Sequence, residues 1–339
     1  MTGTLTTDAP TDRVDSAGGG RRSTGATVAR VLQRQGALII LAAVCVVAGI
    51  AFDNFATFGN FSAVAVQASF LAVVALGMTF VIMTAGIDLS VGSVFALGGV
   101  LAAWGSQHGA LIGLLLPLAV CGLIGLVQGL IVARGGLPPF IVTLAGLLFA
   151  RGLLLALSDE GATTYKVPEG SWFRQLAQGE FLGLGLTVWI VIILFLIGGV
   201  VLHRTTFGST ILAIGGQEDA ADLMGLPVAR TKVVAYLMCA MLAGLGGTMM
   251  ASYTSSGVTV LGVGMELEVI AAVVLGGTLL TGGAGTVLGS LVGVLLLTVI
   301  KNVINMVGTL NSNWQAVVSG VILLVVVVAQ RWLAKIERR

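Results

Sequence analysis

Apolar runs of spanning length recur near residues 36–52, 64–84, 91–106, 109–132, 140–157, 182–202, 231–252, 266–283, 285–300 and 314–330. A helical crossing needs about 20 predominantly apolar residues. The pattern therefore predicts an all-α, polytopic membrane protein with about ten transmembrane helices. The runs at 36–52, 91–106 and 285–300 are the shortest. The Gly-rich junctions beside 84–91 and 276–286 fit broken or re-entrant helices as well as simple turns. One polar interruption, Ala213–Thr231, reads AIGGQEDAADLMGLPVART. Within it Gln217, Glu218, Asp219 and Asp222 alternate with Ala220, Ala221, Leu223 and Met224, and Gly225 with Leu226-Pro227 ends the stretch. Gly215 and Gly216 bound it on the other side. An amphipathic helix with a glycine stop, held at a membrane surface, is a docking element for another protein rather than a span.

Charge position tests this topology. With the N-terminus inside and ten spans, one face receives Arg13, Arg21, Arg22, Arg30, Arg34, Arg134, Arg204, Arg230, Lys232, Arg331, Lys335, Arg338 and Arg339. The other receives only Lys166, Arg174 and Lys301, and Arg151 lies within a span. Basic residues concentrate on the cytoplasmic side, so both termini and the segment 203–231 are expected there. The longest external loop is then 158–180, with Asp159, Glu160, Lys166, Glu169, Trp172 and Arg174; it is either a landing surface for a soluble partner or a solvated loop. Residues 1–35 are Ser/Thr/Gly/Ala/Arg-rich and are expected to be a disordered cytoplasmic tail, followed by a permease domain over 36–332 and a cytoplasmic tail over 333–339. No small-residue cleavage site follows the first apolar run, which ends at Asp53-Asn54-Phe55, so that run reads as an uncleaved span.

Composition agrees: the chain is 57% hydrophobic and 9% charged, against about 25% charged in soluble domains. His108 and His203 are the sole histidines, and Cys45, Cys121 and Cys239 sit in apolar runs without metal-ligand spacing. No metal or other cofactor is expected.

Helices in lipid approach one another through small residues. Gly285, Gly289 and Gly293 stand four apart on one face, and Gly125 with Gly129 and Ala240 with Gly244 make similar pairs. Two Gly-rich segments look alike at an offset of 197: TAGIDLSVGS at Thr84–Ser93 and TGGAGTVLGS at Thr281–Ser290. Each follows a Leu-Gly-x-Thr, ending at Thr79 and Thr278. Duplication explains this and would place a substrate route at the repeat interface; chance likeness between glycine-rich segments explains it too. Ten spans put both copies on the same side.

An ionisable group in hydrocarbon costs about 2.5–3.5 kcal/mol on insertion scales, so each such residue needs a reason. Asp88 sits among Thr84, Ser90 and Ser93, where it either caps the following helix or contacts a polar solute. Arg151 either snorkels to the outer surface or donates to sugar hydroxyls or to a carboxylate. Glu266 and Glu268 open an apolar run, where acids complement the helix dipole. Asn302, Asn305 and Trp314 cluster near the last external turn and could line an entrance; with Thr84, Asp88, Ser90, Ser93, Arg151, Glu266, Glu268 and Thr278 they are the candidate substrate path.

GMTFVIMTAGIDLSVGSV at 77–94 and LEVIAAVVLGGTLLTGGAGTVLGSLVG at 267–293 resemble the signature segments of inner-membrane permeases from sugar importers of the ribose type, in the ATP-binding-cassette class. The docking segment resembles that family's cytoplasmic loop, where a Glu (Glu218) precedes a Gly (Gly225) by seven residues. The likeness covers roughly 36–332. PPFIVTLAGLLFARG (138–152), LMGLP (223–227) and GTLNSNWQ (308–315) bring it nearest to the galactofuranose branch. The resemblance implies a bacterial inner-membrane subunit, forming half of a path for a pentose or hexose, possessing no ATPase of its own. Its implied partners are a cytoplasmic ATP-binding subunit that receives the docking helix, a second identical or similar permease, and a periplasmic or lipid-anchored sugar-binding protein, all within membrane lipid and with no nucleic acid. Consistently, no G-x-x-x-x-G-K-[ST] loop occurs. One departure is Asp219, which intervenes where relatives often carry alanine directly after the Glu. A stand-alone secondary transporter and a channel are the alternatives. The first would need midplane carboxylates, for which Asp88 is the one candidate.

Overall fold

The computed structural model describes residues 24–308 and eight further positions between Trp314 and Val328. The tail over 1–23, most of the expected span at 314–330 and the C-terminal tail lie outside the described residues. Residues 24–308 form twelve helices and one hairpin of two two-residue strands. They are α1 (Thr24–Ala51), α2 (Phe58–Met83), α3 (Val91–Ser106), α4 (Ala110–Gly135), α5 (Pro139–Leu157), α6 (Trp172–Gln178), β1 (Glu180–Phe181), β2 (Leu184–Gly185), α7 (Leu186–Arg204), α8 (Thr206–Gly216), α9 (Glu218–Leu223), α10 (Val228–Thr254), α11 (Met265–Leu275) and α12 (Val287–Val307).

Among the described residues, six helices are long and apolar enough to cross a membrane: α2, α4, α5, α7, α10 and α12. The chain is thus a polytopic helical protein. Three differences from the sequence reading have physical causes. First, the run at 266–283 is not one helix. α11 stops at Leu275, and at 1.5 Å per residue its 11 residues reach about 17 Å, roughly half of a bilayer core. Gly277, Gly282 and Gly283 take positive φ in the loop that follows, which no right-handed helix accommodates. Second, the segment 285–300 extends to Val307 because its polar residues find partners: Lys301 pairs with Glu268 at 2.6 Å and Asn302 with Asn60 at 2.9 Å. Third, α1 begins at Thr24, inside the stretch expected to be disordered.

Two helices organise the interior. α2 is buried almost continuously from Ala68 to Met83, and α10 packs against α2, α3 and α4. The close approaches are made by small residues. A Cβ on Gly77 would stand 2.7 Å from the Cys239 Cα, and one on Gly98 2.7 Å from the Gly244 Cα. One on Gly129 would meet the Val233 backbone at 2.9 Å. Side chains exposed on the flanks of α1, α4, α5 and α7 are apolar, among them Ile50, Leu123, Phe149 and Leu196. That is the outside of a protein whose solvent is lipid.

The segment 158–185 is a folded cap on one end of the bundle, not a loose loop. Phe173 of α6 is fully buried. Arg174 Nε donates to Ser255 Oγ at 2.9 Å, and the Val167 amide donates to the Ser255 carbonyl at 2.9 Å. The β1–β2 hairpin then leads directly into α7.

Candidate functional site

The docking segment is a small body with its own core. α8 ends at Gly216, α9 is a short amphipathic helix, and Gly225 at φ +75° turns the chain into α10. Ile214, Ala221 and Val228, one from each helix, are buried together with Leu226 and Ala213 packed against them. Glu218 is stapled to Lys232 at 2.5 Å. Leu223 (89% exposed) and Met224 (69%) point outward next to Asp219 and Asp222. They form an exposed apolar pair at the end of a polar-edged helix.

The two Gly-rich loops, 84–90 and 276–286, meet each other beside this body. The Gly283 amide donates to the Met83 carbonyl at 3.0 Å, and a Cβ on Gly282 would stand 2.7 Å from the Ala85 nitrogen. Gly215 lies against the end of α2 at Met83 and against the second loop at Gly282 and Gly283. Thr79 Oγ1 of α2 also donates to Ser290 Oγ of α12 at 2.7 Å, tying the two repeat-like segments together in the interior.

Asp88 is completely buried at the end of the first loop. Its Oδ1 accepts from the Ser90 amide at 2.9 Å and from Ser90 Oγ at 2.6 Å. The Asp88 carboxylate therefore holds the turn that starts α3, without bonding the helix's own second or third amide. Three groups that the sequence reading did not single out surround it. Gln128 of α4 lies within 3.3 Å of Ser90 Oγ through its carbonyl oxygen. Thr143 of α5 donates to the Ile87 carbonyl at 3.2 Å. The Tyr236 ring of α10 reaches the loop from the far side, and a Cβ on Gly86 would stand 2.6 Å from its hydroxyl. Asp88 Oδ2, Gln128 Nε2 and the Tyr236 hydroxyl are buried without a well-formed hydrogen bond, with the Cys239 thiol beside Asp88. A lone Gln and a lone Tyr inside long apolar runs were the signal for this cluster.

The other candidates fall elsewhere. Thr84 bonds back to the Val81 carbonyl at 2.7 Å, and Ser93 is buried in the first turn of α3. Thr278 is buried inside the second loop against Gly285. Arg151 lies toward the capped end, where its guanidinium donates to the Thr259 carbonyl at 2.9 Å and the Leu261 carbonyl at 3.1 Å, with Glu266 as a neighbouring charge. It thus clamps the α10–α11 connection to α5. Glu268 is taken by Lys301. Asn302 bonds Asn60, Asn305 accepts from Gln315 at 2.7 Å, and Trp314 is half exposed. Thr84, Asp88, Ser90, Ser93 and Thr278 thus belong to the two loops and the start of α3, Arg151 and the residues around Asn302 lie elsewhere, and Glu266 stands between, where a Cβ on Gly92 would be 2.6 Å from its Oε2.

The sequence profile of a permease family described as "Branched-chain amino acid transport system / permease component" matches residues 60–327. The chain is 39% identical to the ribose import permease protein of Escherichia coli K12 over 299 residues, covering 87% of this chain and 93% of the relative. It is 36% identical to the ribose import permease protein of Bacillus subtilis 168 over 303 residues, covering 89% and 94%. It is 34% identical to the L-arabinose transport system permease protein of Escherichia coli K12 over 327 residues, covering 96% and 98%. No solved structure matches.

Proposed function

This chain belongs to the permeases of ribose-type ATP-binding-cassette importers, and from that premise we propose that it forms half of a path for a neutral pentose or hexose. The observation that carries the reading is the docking body, which presents Leu223 and Met224 outward and rests through Gly215 on the end of α2 and on the second Gly-rich loop, itself packed on the first through Gly282 and Ala85. A partner that moves this body moves the loops. The basic side of the chain, with Arg204, Arg230 and Lys232 around the docking body, faces the cytoplasm. There it meets the ATP-binding subunit, while the cap over 158–185 faces outward to a sugar-binding protein. A second permease, identical or similar, completes the path. The ten expected passages comprise the six long helices, the apolar part of α1 (Gly36–Ala51), the shorter α3 and α11, and the final run at 314–330.

A sugar suits the charges better than an amino acid. A zwitterion needs one free partner of each sign. Among the described half-buried charges, Glu266 is in no ion pair, but the cations are taken: Arg151 by two carbonyls, Arg174 by Ser255, Lys232 by Glu218 and Lys301 by Glu268. Ribose and L-arabinose, named for the relatives, are neutral polyols; galactofuranose, suggested by the segments at 138–152 and 308–315, is another.

The test is co-purification from the native membrane in mild detergent. A nucleotide-binding subunit should accompany the chain and be lost in Leu223→Glu and in Gly225→Pro, since proline fixes φ near −65° and the turn needs +75°. Recovery of the chain alone from intact preparations, with solute flux driven by an ion gradient, would establish a secondary transporter instead.

A further inference from the structure

Gly215 and Gly216 are adjacent glycines at the end of α8, and the sequence does not distinguish them. Their surroundings are opposite. A Cβ on Gly216 meets nothing within 4 Å, whereas a Cβ on Gly215 would overlap both the Met83 carbonyl oxygen and the Gly283 amide nitrogen. Those two atoms are themselves hydrogen-bonded to each other. Gly215 is therefore seated on the one backbone bond that joins the end of α2 to the second Gly-rich loop. From the loop side, Cβ atoms on Gly282 and Gly283 would stand 2.9 Å from the Gly215 Cα and 2.8 Å from the Gly216 nitrogen. Three main chains thus touch with no side chain between them.

Such a contact transmits displacement differently from a side-chain contact. Side chains change rotamer and absorb motion, but close-packed backbone does not. The residue next to this contact, Ile214, belongs to the core that makes α8, α9 and the start of α10 one body. Behind the contact on the other side, the Asp88–Ser90 turn ties the first loop to α3, and Thr79 with Ser290 ties α2 to α12.

Resting on the importer reading above, we propose that Gly215 is the positioning residue through which movement of the docking body reaches the path, acting as a strut that bears on the end of α2 and on the second Gly-rich loop. Binding of the ATP-hydrolysing partner resides on the exposed Leu223–Met224 side. Transmission resides at Gly215. The two are therefore separable.

The experiment compares Gly215→Ala and Gly216→Ala in the complete importer, reconstituted in liposomes with its binding protein and the transported sugar. Gly215→Ala should keep the ATP-binding subunit through purification and keep basal ATP hydrolysis. It should lose at least tenfold in both sugar-stimulated hydrolysis and uptake rate, with half-saturation by the binding protein unchanged. Gly216→Ala should match the parent. Stimulated hydrolysis in Gly215→Ala within twofold of the parent would overturn the proposal, as would an equal loss in both variants. Failure of the parent itself to couple uptake to ATP would sink the importer reading instead. If Gly215→Ala does not assemble, a double variant, Gly216→Cys with Ala284→Cys, joined by a short bifunctional thiol reagent, decides the matter. A strut moves as one piece, so the cross-linked importer should retain uptake above half of the uncross-linked level. Abolished uptake, absent in the single-cysteine controls, would show that the loops must separate from α8 and would refute the proposal.

Discussion

Replacing Asp88 separates its role in shaping the loop from a role as a charge. Its Oδ1 accepts two hydrogen bonds from Ser90 inside a fully buried environment. In Asp88→Ala the Ser90 hydroxyl can turn to the Gln128 carbonyl oxygen, already 3.3 Å away, but the Ser90 amide has no second acceptor in the described surroundings. An orphaned buried amide costs about 1–3 kcal/mol. In Asp88→Asn the amide oxygen keeps both bonds. Because neutral hydrogen bonds are roughly half as strong as charge-assisted ones, the loss is about 1 kcal/mol or less. The assay is denaturant or thermal unfolding of the purified complex in detergent, together with sugar uptake in liposomes. Asp88→Ala should be destabilised and slow, while Asp88→Asn should unfold and transport close to the parent. If Asp88→Asn abolished uptake at unchanged stability, the carboxylate's charge would be required and the loop-shaping argument would fail.

Arg151→Lys should lose about 1–3 kcal/mol of stability, because an ammonium cannot span two carbonyls as the guanidinium fork does. Half-saturation for sugar should not change, and a raised half-saturation with parental stability would instead place Arg151 in the path. The half-buried Glu268–Lys301 pair should contribute about 1–3 kcal/mol, between the values for exposed and buried pairs. A double-mutant cycle with Glu268→Gln and Lys301→Met measures it; a coupling energy near zero would show that the pair only coexists.

What the sequence disclosed depended on how each feature registers in a hydropathy window. The spans that became α2, α4, α5, α7 and α10 were visible because length and apolarity alone define them. The docking segment was visible because it is a polar interruption of helical size. The Gly-rich junction beside 276–286 was read as a broken or re-entrant helix or a turn, but the stop at Leu275 inside the run 266–283 was hidden, since glycine and threonine barely lower local hydropathy while Gly277, Gly282 and Gly283 end the helix by conformation. The far end of α12 was hidden for the converse reason. Lys301 and Asn302 look like a span's end, but partners 33 and 242 residues away in sequence keep them inside the helix. Gln128 and Tyr236 were lost in averaging, because one polar residue in a 26- or 27-residue apolar helix scarcely moves the mean. Their meaning lies in which loop they surround, and that is a tertiary fact.

The likeness between Thr84–Ser93 and Thr281–Ser290 gains a physical basis from backbone conformation. At the offset of 197, Ala85 corresponds to Gly282, and both hold positive φ, +61° and +81°, whereas in the next pair Gly283 does (+75°) and Gly86 does not. An alanine in that region is uncommon and carries a strain of roughly 1–2 kcal/mol. Chance resemblance between glycine-rich stretches gives no reason for a non-glycine residue to share the turn. The two loops also lie at the same end of the bundle, in contact with each other. Each connects a helix arriving from the capped end to one returning toward it. This is the parallel arrangement that an even number of intervening spans requires. The copies differ in the arriving helix: α2 has 26 residues and is buried, while α11 has 11 and begins at the half-buried Glu266 and Glu268. The second loop has less packed around it, with Thr281 and Ala284 exposed where the first loop exposes Ala85 alone. That asymmetry makes the second loop the member of the pair better placed to move when the docking body pushes on it through Gly215.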